Sequence, residues 1–137
     1  MFVIPGDGST LKSCGYVEDL ISAFTFMEAQ NDPVILFNFC NPEQPSVNEI
    51  CTTMKTAAGL PGPMGRIPAF ILHPLGAVFE GLNAVGVKTP INRARIDKLL
   101  RSTNIEAAEL KKRGFNWGYN LEEALAKWSK TSGGEMI

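Results

Sequence analysis

Basic residues crowd one stretch of this chain. Arg93, Arg95, Lys98, Arg101, Lys111, Lys112 and Arg113 face only Asp97, Glu106 and Glu109, a local surplus of four positive charges. Over the whole chain the formal charge is −1. A surplus confined to one stretch either lines a solvated face or marks where an anion is held. The overall balance makes no case for nucleic acid or an anionic membrane as a partner.

No acid–base pair for catalysis stands out beside it. His73 is the sole histidine, and it has neither a recognisable nucleophile nor a carboxylate partner. Glu18-Asp19 and Glu122-Glu123 each open a helical pattern, where acidic side chains complement the helix dipole. Cys14, Cys40 and Cys51 are odd in number and lack C-x-x-C spacing. This argues against a disulfide scaffold and a zinc site, and points to the reducing cytoplasm. Gly59-Leu60-Pro61-Gly62-Pro63-Met64-Gly65 spells the letters of a dinucleotide turn. It follows a helix rather than a strand, and its prolines remove amide donors that a pyrophosphate needs.

The elements that must position these groups follow from periodicity. At 137 residues, 45% hydrophobic and 20% charged, the chain is one domain at most. Phe2-Val3-Ile4 reads as a short strand closed by Pro5-Gly6. Val17, Leu20, Ile21, Phe24 and Met27 recur at helical spacing, and that helix ends near Gln30. Val34 to Phe39 is a nearly continuous apolar run, as in a strand buried on both faces of a parallel sheet. Ser46 and Glu49 form a capping box for a second helix, which ends before Gly59 and the prolines beyond it.

Residues 69–86 hold a third helical segment. Ile67 to Val87 is long enough to suggest a membrane span, but Glu80, His73, two prolines and three glycines favour a buried or groove-lining helix. Further helices are expected over Ile91–Leu100, from Asn104 to Gly114, and after Asn120, with Glu123 completing its cap. The expected fold class is α/β and mostly helical, with few short strands and four to six helices. One domain covers residues 1–131, and residues 132–137 form a flexible tail.

Several of these segments, taken in order, resemble the C-terminal substrate-binding part of the extended short-chain dehydrogenase/reductases, the NAD(P)-dependent nucleotide-sugar epimerases and dehydratases. The residues are Gly6-Asp7-Gly8, Lys12 and Tyr16-Val17-Glu18-Asp19; then Phe37-Asn38, Pro42-Glu43 and Ser46; and, near the end, Arg93 to Arg101, Asn104 to Arg113, Gly114-Phe115 and Leu121-Glu122-Glu123-Ala124-Leu125. The stretch Arg93–Thr103 is closest to the branch acting on nucleotide-activated amino sugars. Two departures stand out. Lys12 replaces the usual arginine, losing its bidentate fork. Ser13-Cys14-Gly15 replaces the more usual acid and bulky apolar residues.

The resemblance implies a substrate-side portion that binds a nucleotide-diphosphate sugar. It implies Lys12, Arg66, Arg93, Arg95 and Arg101 as substrate-binding candidates, with the 60–67 loop as a cover. No strand leads into a Gly-rich turn, and there is no Tyr-x-x-x-Lys pair. The cofactor NAD(P), the catalytic pair and the Rossmann domain would therefore belong to a missing half, and this chain binds no cofactor and is inactive alone. The alternative is a self-standing, non-catalytic module for a ligand or partner. A homo-oligomer is expected, because strand 34–39 lacks the sheet it belongs to; the competing outcome is a monomer in which the helices 17–30, 47–58 and 69–86 wrap the strand.

Overall fold

A computed structural model describes residues 3–61, 65–84, 86 and 93–133. Within them six helices and one two-stranded parallel sheet form an α/β, mostly helical fold. Phe2, the break at 88–90 and the tail beyond Gly133 lie outside the described residues.

Strand β1 (Val3–Pro5) pairs with β2 (Gly65–Ile67), placing Val3 opposite Gly65 and Ile4 opposite Arg66. The Gly6 amide extends the pairing to the Ile67 carbonyl at 2.8 Å. The sequence reading placed Gly65–Ile67 in a covering loop; pairing with β1 makes it a strand. Gly8 then turns the chain at φ +79°, where a Cβ would lie 3.0 Å from both Asn48 Cβ and Ile4 Cγ2. Only glycine fits that approach.

Beyond that turn the chain forms no regular strand before Cys14, only a single antiparallel bridge from Leu11 to Ser46. The carbonyls of Gly8, Thr10 and Cys14 accept from Asn48, Val47 and Asn41 at 3.0, 2.8 and 2.7 Å. The Lys12 amide donates to the Pro45 carbonyl at 2.9 Å. The amides of Leu11 and Ser13 donate to the hydroxyls of Ser102 and Thr103 at 3.1 and 2.8 Å.

Helix α1 (Val17–Glu28) buries Asp19, Ala23 and Met27. Its sequence stripe divides: Met27 faces the core, while Val17, Ile21 and Phe24 stay exposed. The run Val34–Phe39 is extended but lies in no ladder. Ile35, Phe37 and Phe39 pack on the core cluster of Ala23, Met27, Cys40, Ala107, Leu110 and Phe115. Val34 and Leu36 are 85% and 92% exposed. Only one face is therefore buried, contrary to the two-sided burial its apolar run suggested. Among the described residues no backbone hydrogen bond reaches residues 34–39.

Helix α2 (Val47–Ala57) begins with the expected box: the Glu49 amide donates to Ser46 Oγ at 3.2 Å, and the Ser46 amide donates to the Glu49 carboxylate at 2.7 Å. Helix α3 (Ala69–Ala84) carries Pro74 inside it. Helix α4 (Arg93–Leu100) packs against α3, and their close approach depends on Gly76, where a Cβ would lie 2.9 Å from Ile96 Cδ1. Helix α5 (Ala108–Lys112) starts later than Asn104, behind Ala107. Helix α6 (Leu121–Thr131) opens with the Asn120–Glu123 box and packs on α2. Among the described residues no helix is long and apolar enough to cross a membrane.

Candidate functional site

The Gly6-Asp7-Gly8 turn, the β2 strand and the two helices α3 and α4 meet around an open groove of about 740 Å³. Asp7, Ser9, Thr10, Arg66, Pro68 and Leu100 are among its walls. Arg66 is exposed there, its guanidinium Nη2 donating to Asn48 Oδ1 at 3.0 Å. The Ser9 hydroxyl and amide donate to Asp7 at 2.7 and 2.9 Å. These bonds, aided by the Arg66 charge, hold the Asp7 carboxyl below its ordinary value. The groove thus offers one fixed anion and one cation, with the alkyl wall of Pro68 and Leu100.

Lys12 does not line this groove and is engaged in an unforeseen way. Its ammonium donates to the carbonyls of Lys98 and Arg101 at 2.7 and 2.6 Å, closing the C-terminal end of α4. A cation there complements the helix dipole and the unpaired carbonyls of the last turn. Burial lowers its pKa from the ordinary 10.5. Arg101 is exposed at the same end.

Arg93 lies eight residues earlier, about 12 Å along the helix. Its Nε lies 3.4 Å from Glu80 Oε2, and Glu80 also accepts the Arg93 amide at 3.1 Å. Arg93 is therefore a tie between α3 and α4, and exposed Arg95 shares its turn. Of the five basic candidates, the fold gathers Lys12, Arg66 and Arg101 at one end of α4 and leaves Arg93 and Arg95 at the other.

A second polar cluster was missed in the sequence. Lys127 Nζ lies 2.5 Å from Glu18 Oε2 and 2.6 Å from the Tyr119 hydroxyl. That hydroxyl donates to Glu18 at 3.1 Å, and the rings of Tyr16 and Tyr119 meet edge to face at 5.0 Å. Lys127, and less strongly Tyr119, hold the Glu18 carboxyl below its ordinary 4.5, while Glu18 raises the Lys127 pKa well above 10.5. The cluster ties α1 to α6. Asp19 beside it accepts the amides of Gly118 and Tyr119 at 2.8 and 3.2 Å. No local spacing joins residues 18, 119 and 127, so no sequence signal announced them.

Other candidate chemistry is quiet. Burial pushes the Cys14 and Cys51 thiols up, away from the reactive thiolate. Among the described residues no group of His, Cys, Asp and Glu is arranged to hold a metal ion. The prolines of the Gly59–Gly65 stretch fall at its described edge and outside the described residues. No protein-family model matches this chain, and no curated protein matches it.

Proposed function

We propose that this chain is the substrate-side portion of an NAD(P)-dependent nucleotide-sugar epimerase, dehydratase or ketoreductase, which binds a nucleotide-diphosphate sugar and does no redox chemistry alone. The observation that carries this reading is the open edge at residues 34–39. Among the described residues they have no ladder partner, and Phe37 meets the exposed Phe24 of α1 edge to face at 5.5 Å. A strand and helix drawn from a larger parallel sheet would leave such a surface. The implied partner is a Rossmann domain holding NAD(P). Arg66, with Lys12 and Arg101 at the adjoining end of α4, supplies cations for a diphosphate, and Arg93 and Arg95 add positive charge at the far end of that helix.

A self-standing binding module is the second reading. It is favoured by the Glu18–Lys127 clamp and the two capping boxes, which close the fold internally. The coding sequence on the 5′ side of Met1 separates the two. An in-frame Gly-rich βαβ unit supports the enzyme portion, and turnover of a nucleotide sugar by these 137 residues alone overturns it.

A further inference from the structure

A pocket of about 320 Å³ opens between α2, α6 and the segment leading into α1. Cys14, Val17, Ile50, Leu121, Leu125 and Trp128 form most of its wall. It shares no lining residue with the groove beside Arg66. An apolar protein cavity of about 150 Å³ already accommodates benzene. The pocket is therefore large enough for a ring with a substituent, at the lower end of the range for small-ligand sites.

The sequence explains why this space is unfilled. Position 14 carries a cysteine, a small side chain in the pocket wall. Its neighbour Gly15 is exposed but closely approached by the Phe39 ring: a Cβ there would lie 2.4 Å from Phe39 Cε1. The backbone cannot shift inward, and the small thiol leaves the pocket open.

Asn41 is the polar part of the same wall. It is 8% exposed, and its amide nitrogen donates to the Tyr119 carbonyl at 3.2 Å. Its Oδ1 is buried with no hydrogen-bond partner among the described residues. A buried acceptor left unpaired is destabilising and calls for a donor.

We propose that this pocket binds a ring-sized apolar group carrying one N–H or O–H donor. The ring lies against Leu121, Leu125 and Trp128, and its entry turns Asn41 Oδ1, otherwise closed to solvent, toward the donor. The ligand relieves unfilled apolar space and an unpaired acceptor together.

The test titrates the 137-residue chain with 4-methylphenol and, separately, toluene, following amide and indole resonances by NMR. Saturable binding of 4-methylphenol is expected, with toluene at least about fivefold weaker because it offers no donor. Cys14→Phe, which fills the pocket, should abolish binding of both. Leu125→Phe serves the same purpose from the opposite wall, and thermal melting identifies which variant is folded. The proposal is overturned by non-saturable 4-methylphenol shifts, by equal affinity for both probes, or by intact binding in a folded filled variant.

Discussion

Two segments of this chain treat their backbones in opposite ways. Residues 8–14 are matched from within: the start of α2, Pro45, Asn41 and the hydroxyls of Ser102 and Thr103 take up their amides and carbonyls. Residues 34–39 have side chains packed on one face and backbone groups matched by nothing among the described residues. Composition accounts for the difference. The first segment is polar and pairs with Ser and Thr side chains that can imitate a neighbouring strand. The second is almost wholly apolar, so only another backbone can complete it.

The largest expected effect comes from splitting the alternation of the open segment. Phe37→Ala should lower stability by about 2 kcal/mol, since Phe37 is partly buried on the core cluster. Leu36→Lys should change stability by less than about 0.5 kcal/mol, because its side chain is almost fully solvated. The same substitution should suppress self-association seen by sedimentation, because lysine discourages edge pairing. Equal destabilisation in urea unfolding would mean that both faces are covered.

A smaller effect belongs to the closed segment. The Ser13 hydroxyl donates to the Thr103 carbonyl at 2.8 Å and accepts the Ile105 amide at 2.9 Å. Ser13→Ala should cost about 1 kcal/mol in urea unfolding. It should also raise amide exchange at Ile105 and leave residues 34–39 unaffected. Rapid exchange at residues 34–39 in the parent protein is part of the same expectation.

The smallest effect is a pH dependence just beyond the closed segment. The Glu18 carboxyl lies below its ordinary 4.5, so its stabilisation is present above that value and fades as pH falls through the depressed one. The Lys127 pKa is raised, so its share is complete below 10.5 and fades as pH rises through the raised value. Lys127→Met should therefore lower the melting temperature near neutrality, with the difference shrinking in strong acid. A difference independent of pH would assign the effect to packing of the lysine stem.

What could be read in advance was local. The Ser46–Glu49 and Asn120–Glu123 boxes occur where their three-residue spacing placed them. Helix α1 ends at Glu28, two residues before the expected Gln30. The misses depend on distant partners. β2 is three residues long and exists because β1 lies beside it. Asn104 caps no helix because Ser13 engages Thr103 and Ile105 on either side of it and holds that stretch extended. The bonds of Lys12 span 86 and 89 residues. The basic candidates were visible as charges, but their division between the two ends of α4 was not. The Glu18–Lys127 clamp closes only in the assembled fold.

The beginning of α2 has one further consequence. Val47 and Asn48 donate their amides to the carbonyls of Thr10 and Gly8, and Glu49 donates to Ser46 Oγ. The helix therefore has no first-turn amide left to offer a charged guest in the neighbouring groove. An anion bound there rests on long, solvated side-chain cations rather than on a rigid cradle of peptide dipoles. Its affinity should then fall steeply with ionic strength, because mobile counterions screen such side chains far more than they screen a buried amide nest.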